Sequence, residues 1–94
     1  MAFTRIGNSS AVAVTSSGTR AQLIGYAPSC RVYNEGPNAA RIAFGDSSVL
    51  AGDTDLLMPA GLLEIEDKSI NTHIAAITKV GETATLHIIC GSGD

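Results

Sequence analysis

The residues best suited to chemistry include three aspartates in one short segment. Asp46, Asp53 and Asp55 lie in GDSSVLAGDTD, and clustered carboxylate oxygens are the ligands that calcium prefers. The segment lacks the alternating ligands and closing Glu of a calcium-binding loop, and Asp and Gly are also ordinary loop residues. We therefore expect a structural loop, and whether it binds a cation stays open.

Two histidines and a cysteine form the other candidate group. His73, His87 and Cys90 fall in the last two strand-like runs and could approach one another as zinc ligands, but they lack the paired spacing of a zinc site. The sequence also contains no GxSxG elbow, glycine-rich phosphate loop or paired-carboxylate motif. We expect surface histidines, no catalytic residues, no metal and no cofactor, so the protein is predicted not to be an enzyme.

Length and composition limit the kind of fold that can position these residues. The chain has 94 residues, 45% of them hydrophobic, with two Phe, two Tyr and no Trp. This predicts one domain, residues 1–94, with a thin aliphatic core and a small stability margin unless association adds to it.

Charge and segment composition exclude several partners. The net charge is −3 and the six basic residues are spread along the chain, whereas a nucleic-acid binder concentrates positive charge. The sequence shows neither a secretory leader nor an apolar run of the roughly 20 residues that span a bilayer. We expect synthesis in the cytoplasm and no membrane or nucleic-acid partner. In that reducing compartment Cys30 and Cys90 should remain thiols.

Short strand-like runs recur about every ten residues and predict the fold. The runs are AFTRI, SAVAVT, RAQLIG, RVYN, RIAFG, LLEIE, HIAAIT and TLHIIC. Gly, Ser, Asn and Pro separate the runs, and no segment has helical apolar spacing. About eight short strands predict an all-β, two-sheet antiparallel sandwich of jelly-roll or Greek-key type, with the strand order left open. Residues 1–9 are a possible N-terminal arm, which either adds an edge strand or reaches a neighbour, and residues 91–94 a short flexible tail.

One segment, RVYNEGPNAARIAFG, predicts a β-hairpin. Alternating runs flank EGPNA, whose Gly, Pro and Asn favour a turn. A turn centred on Pro37 places Val32 opposite Ile42, and Tyr33 opposite Arg41 on the outward side.

Period-two alternation also predicts the core. The expected inward residues are Val12, Val14, Leu23, Val32, Ile42, Phe44, Leu63, Ile65, Ile74, Leu86 and Ile88.

Surplus apolar residues predict a protein interface. LLMPAGLLEIE holds more apolar side chains than one inward face can use, so we expect another chain to cover some of them. An exposed Tyr beside an Arg is also a common interface anchor, although a solvated pair is the simpler interpretation. The candidate interface residues are Phe3, Arg5, Ile6, Tyr33, Arg41, Leu57 and Met58.

The order of these motifs resembles a family of small virion structural proteins of tailed bacteriophages. The resemblance rests on VAVT, RVYNEGPNAARIAFGDSS, LMPAGLLEIE and HIAAITKVGETATLHIICGSG, which span residues 12–93. It implies a jelly-roll capsid cement, or decoration, protein: a homo-oligomer, dimer or trimer, on the outer head surface that bridges major capsid proteins. The alternatives are a sandwich associated with the neck, tail tip or fibre, and a carbohydrate-binding module.

Overall fold

The architecture is a sandwich of two antiparallel β-sheets, seen in a computed structural model that describes residues 4–23, 27–67 and 70–92. The strands in these residues are β1 (Thr4–Val14), β2 (Thr19–Gln22), β3 (Ser29–Pro37), β4 (Ala40–Gly45), β5 (Leu56–Met58), β6 (Leu63–Asp67), β7 (His73–Ile77) and β8 (Ala84–Ser92). The first sheet has the order β1-β8-β3-β6 and the second the order β2-β7-β4-β5. The predicted all-β sandwich is confirmed.

The chain alternates between the two sheets at almost every connection. Only β4 and β5 follow each other within one sheet, while β1 and β8 lie side by side. This is the jelly-roll connectivity, a pair of interleaved Greek keys. Because nearly every connection crosses the sandwich, the ends of the molecule must hold several sheet-to-sheet corners.

The core consists of the inward residues of both sheets. Val14, Val32, Ile42 and Leu86 are almost completely buried there, as period-two alternation predicts. The predicted core is confirmed for all its members except Leu63 and Ile65, with Val12 and Phe44 only partly buried.

The two wrong core residues lie on β6, where the alternation runs the other way. Leu63 and Ile65 are 48% and 37% exposed. Leu62, the residue before the strand, packs against the core instead. An apolar alternation fixes which residues share a face, but it does not say whether that face points inward.

The predicted hairpin around Pro37 is wrong. β3 pairs with β6 and β8, whereas β4 pairs with β5 and β7, so the segment is a corner between sheets. Tyr33 and Arg41 therefore do not form a cross-strand pair. Val32 and Ile42 are both buried in the core, and this explains the error, because a corner and a hairpin produce the same alternation in the flanking strands.

A buried asparagine holds this corner together. The Asn34 amide nitrogen donates to the Met58 carbonyl at 2.8 Å and to the Asn38 carbonyl at 3.0 Å. Its Oδ1 accepts from the Gly36 N–H at 2.8 Å. Asn34 lies on the first sheet, whereas Met58 lies on the second, so one side chain ties the sheets together where the chain crosses.

Both ends of the described chain belong to strands. Thr4 pairs with Ser92 and Arg5 with Gly91, so from residue 4 onwards the predicted arm takes the edge-strand alternative. A register shift between Ile6 and Ser10 marks a bulge, where we predicted a break between two strands. The predicted flexible tail is wrong for Gly91 and Ser92, since both are paired.

Cys30 and Cys90 form a disulfide, which corrects the expectation of free thiols. They stand opposite each other in the register of β3 and β8, and both face the core. The expectation rested on the redox compartment, and only the strand register could reveal that the two sulfurs meet.

We expect Asn34→Ala to lower the free energy of unfolding by about 3 kcal/mol, because it removes three hydrogen bonds at a buried site, two donated to carbonyls and one accepted from the Gly36 N–H. Urea unfolding followed by circular dichroism measures this. The matched control is Asn38→Ala, which removes one bond, accepted from the Thr83 N–H at 3.2 Å in an exposed site. Its expected cost is about 1 kcal/mol or less, and equal losses in the two variants would contradict the assigned role.

Reducing the disulfide should lower the free energy of unfolding by about 4 kcal/mol, because the bond closes a loop between residues 60 positions apart. Urea unfolding with and without reductant measures the change. The Cys30→Ala, Cys90→Ala double variant should be insensitive to reductant. Two titratable thiols in unreduced, unfolded protein would refute the pairing.

Candidate interaction surface

The histidines and cysteines do not converge on a common site. His73 lies on β7 of the second sheet and His87 on β8 of the first. The His73 Nδ1 atom is 2.8 Å from the Thr72 hydroxyl, and Cys90 is bonded to Cys30. In residues 4–23, 27–67 and 70–92, no group of three or more His, Cys, Asp and Glu side chains is placed to hold a metal ion.

Two of the three loop aspartates organise the turns of their own segment. The Ser48 N–H and hydroxyl both donate to Asp46 Oδ1, at 2.9 and 2.7 Å. The Gly52 N–H donates to Asp55 Oδ2 at 2.7 Å. Each carboxylate thus completes a local turn, and Asp53 is exposed between them.

The segment with these aspartates, residues 46–55, lies across the outer side of the second sheet, and we call it the covering loop. Arg20 on β2 donates to the Ser47 carbonyl at 2.7 Å, and Arg41 on β4 donates to the Asp55 carbonyl at 2.8 Å. Ala75 on β7 is almost completely buried although it lies outside the core cluster. The two arginines therefore fasten the loop over a stretch of small residues.

Val49 of the covering loop packs closely on the sheet beneath it. A Cβ built on Gly45 would stand 2.8 Å from Val49 Cβ, which is closer than real contacts allow. Glycine at the end of β4 thus makes room for this side chain. The covering loop therefore forms an additional packed layer on the outer side of the second sheet.

The outward side of the first sheet carries apolar, aromatic and charged residues, and we call it the open face. Its members on β3, β6 and β8 are Arg31, Tyr33, Glu35, Leu63, Ile65, His87 and Ile89. Leu63 stands beside Tyr33, and Ile65 beside Arg31. In β6 the apolar side chains therefore point outward, while the intervening Glu64 pairs with Val32, whose side chain faces the core.

A charged and aromatic cluster occupies the middle of the open face. His87 Nε2 lies 2.6 Å from Glu35 Oε1, with both side chains substantially exposed. The Tyr33 and His87 rings are 6.3 Å apart, centroid to centroid, and tilted by 32°. At such exposure the contact between His87 and Glu35 contributes at most about 1 kcal/mol to stability.

The predicted interface residues are scattered over the structure. Tyr33 lies on the open face, whereas Arg41 and exposed Leu57 neighbour each other on the second sheet. Arg5 is exposed on β1 and Ile6 packs against the core. Phe3 lies outside the described residues. Met58 is wrong as an interface residue, because its side chain is fully buried.

A shallow groove of about 580 Å³ adjoins Arg41 and Leu57. Ile77 lies beside them, and Lys79 and Glu82 supply charges of both signs. None of its lining residues is aromatic. Sequence reasoning missed this groove, because only the pairing of β4 with both β5 and β7 places these residues in one row.

The fold and surface define an all-β sandwich with exposed apolar residues on the edge strands of both sheets. No helix able to cross a bilayer occurs in the stretches of chain that the structure describes. Comparison with protein-family models, curated proteins and solved structures found no match to the chain. The resemblance to phage virion proteins therefore remains a prediction.

The hydrogen bonds from Ser48, above all that of its hydroxyl, lower the pKa of the Asp46 carboxyl below the ordinary 3.8. A lowered folded-state pKa adds stability above the unfolded-state value, and this contribution disappears as the pH falls through the folded-state pKa. We expect Ser48→Ala to raise the Asp46 titration midpoint towards 3.8, as measured by carboxyl ¹³C NMR. Asp46→Asn should make stability less sensitive to acidification below about pH 4. An unchanged midpoint in Ser48→Ala would contradict this assignment.

Proposed function

We propose that the protein is a non-enzymatic virion structural protein of a tailed phage, a capsid cement or decoration protein that bridges neighbouring major capsid subunits on the outer head surface. The observation that carries this is the exposure of apolar side chains on edge strands of both sheets. Leu63 on β6 is 48% exposed and Leu57 on β5 is 44% exposed. A bridging protein needs two contact surfaces, and these strands offer them on opposite layers of the sandwich.

The rigidity of the sandwich also supports the proposal. The Cys30–Cys90 disulfide joins two strands of the first sheet, and the Asn34 hydrogen bonds join the first sheet to the second. A preorganised surface loses little conformational entropy on binding. Modest contacts at many identical capsid sites then add through multivalency.

Charge is consistent with an exterior position on the head. The net charge is −3, and charged residues make up 16% of the chain. A mild negative charge disfavours association with nucleic acid. The sequence resemblance points to the same class of virion protein.

The test is co-sedimentation of the purified protein with expanded phage heads, together with cryo-microscopy of the virion. We expect stoichiometric binding, and Leu57→Lys should weaken it about tenfold, because a charge replaces an apolar contact. The control is Val80→Lys, which changes a side chain that is 92% exposed on the β7–β8 loop. No binding and no density on the shell would refute the proposal.

Copy number separates the cement protein from its rivals. A cement protein is present at every local symmetry position of the head, whereas a neck, tail-tip or fibre-associated sandwich is present in few copies. Quantitative gel analysis of virions makes this distinction. A carbohydrate-binding module is disfavoured, since such sites usually stack sugars on aromatic rings and the groove beside Arg41 has none in its lining.

A further inference from the structure

One edge of the first sheet, at β1, has no strand beside it among the residues that the structure describes. In the order β1-β8-β3-β6, β1 pairs with β8 alone. A bulge between Ile6 and Ser10 interrupts this pairing, and from Ser10 to Val14 the register is regular. We call residues 10–14 the free edge. The edge of a sheet presents backbone N–H and C=O groups that can pair with a further strand.

The register shows which peptide groups of the free edge point outward. Hydrogen-bonded and non-hydrogen-bonded residues alternate along an antiparallel pair. The Asn34 N–H donates to the Leu62 carbonyl, on the β6 side of β3. Followed through the registers of β3, β8 and β1, this alternation turns the N–H and C=O groups of Ala11 and Ala13 away from β8. Both residues are exposed, so two donors and two acceptors are available for a partner.

The other three edge strands have features that discourage pairing. β5 has only three residues and β2 only four. β6 has five residues, LEIED, of which three are acidic. By contrast, no charged residue and no proline occurs from Gly7 to Thr19, a range that includes the whole free edge. The bulge in β1 lies before the free edge and leaves it regular.

The core is incompletely covered beside the free edge. Val12 and Leu86 stand opposite each other in the register, but Leu86 is fully buried whereas Val12 is only partly buried. Ile6 also packs against the core while remaining partly exposed. A strand added beside β1 would cover the exposed side of Val12. Apolar contact and backbone hydrogen bonding therefore favour the same occupant, which is an extended segment.

The chemistry of the free edge indicates that this segment is uncharged and comes from another protein. The free edge has no charge that could pair with a charged residue on the added strand, and an unpaired charge is costly to bury. A second copy of β1 fits poorly, because antiparallel pairing about Val12 sets Ala11 opposite Ala13 and leaves the space beside these small side chains unfilled. A strand with larger apolar or β-branched residues fills that space.

We propose that the free edge is a β-augmentation site, at which an extended, uncharged segment of a partner protein adds a fifth strand to the four-stranded first sheet. The backbone groups of Ala11 and Ala13 supply the hydrogen bonds, and Val12 selects an apolar side chain. That the partner is a major capsid subunit rests on the proposed function. On a capsid, weak pairing at each site adds through multivalency, and Leu57 on the second sheet remains free for a second subunit.

The first experiment is co-sedimentation of the full chain with expanded phage heads, followed by hydrogen exchange of the bound protein read by mass spectrometry. We expect exchange in the segment that contains Ala11 and Ala13 to slow at least tenfold on binding, because their N–H groups become hydrogen-bonded.

Ala13→Pro should weaken binding to heads at least tenfold. Proline removes an outward N–H but no hydrogen bond to β8, and it is tolerated at such positions of edge strands. The matched control is Ala13→Ser, which keeps both the small side chain and the N–H and should bind like the original. Circular dichroism checks that both variants fold.

A synthetic peptide tests the site without capsids. The probe has alternating Val and Thr residues, with a lysine at each end for solubility. In an NMR titration of the full chain, it should shift the amide signals of Ala11 and Ala13 and slow their exchange. The same peptide with a central proline is the control and should cause neither effect. Absence of any change at Ala11 and Ala13 overturns the proposal.

The outcomes separate this proposal from the proposed function. If the original and Ala13→Pro bind heads equally well, β-augmentation is overturned and the cement function stands. If the protein does not bind heads but the peptide pairs with the free edge, the site stands and the capsid partner is refuted. A dimer that Ala13→Pro converts to a monomer assigns the free edge to a second copy and overturns the proposal. If Ala13→Pro does not fold, undiminished head binding by Ala11→Lys, which places a charge on the free edge, overturns it instead.

Discussion

The hydrogen bonds of one buried amide, that of Asn34, hold the place where the chain passes from the first sheet to the second. Its nitrogen donates to the carbonyls of Met58 and Asn38, and its oxygen accepts from the Gly36 N–H. The backbone of the same residue accepts from the Gly61 N–H and donates to the Leu62 carbonyl. These contacts set where β3 ends and where β5 leads into β6, so the faces of the sandwich depend on them.

The sequence predicts the class of fold and most of the core, because alternation and turn chemistry are local properties. Strand partners are not local, and this explains the wrong hairpin. The predicted number of about eight strands agrees with the structure because two errors cancel. The single strand β1 was predicted as two runs, and the three-residue strand β5 was not predicted. The structural role of Asn34 was not predicted, because the sequence does not distinguish a buried asparagine from one in a turn.

The candidate surface was only partly predictable. The excess of apolar residues in LLMPAGLLEIE correctly indicated that some must face outward, and Leu56, Leu57 and Leu63 do so. Which of them were outward, and the burial of Met58, required the register of β5 and β6. The two outer faces differ in a way no pattern revealed: the second sheet is covered by residues 46–55, while the first presents Tyr33, Leu63 and Ile65.

The covering loop has a consequence for engineering. Arg20 and Arg41 anchor its two ends to the sheet, while Leu50 between them is 77% exposed. A foreign peptide grafted at that position would extend from a segment whose flanks are already immobilised, and lengthening a surface loop costs little additional closure entropy. The sandwich could therefore serve as a display scaffold, with the graft on the side away from the open face.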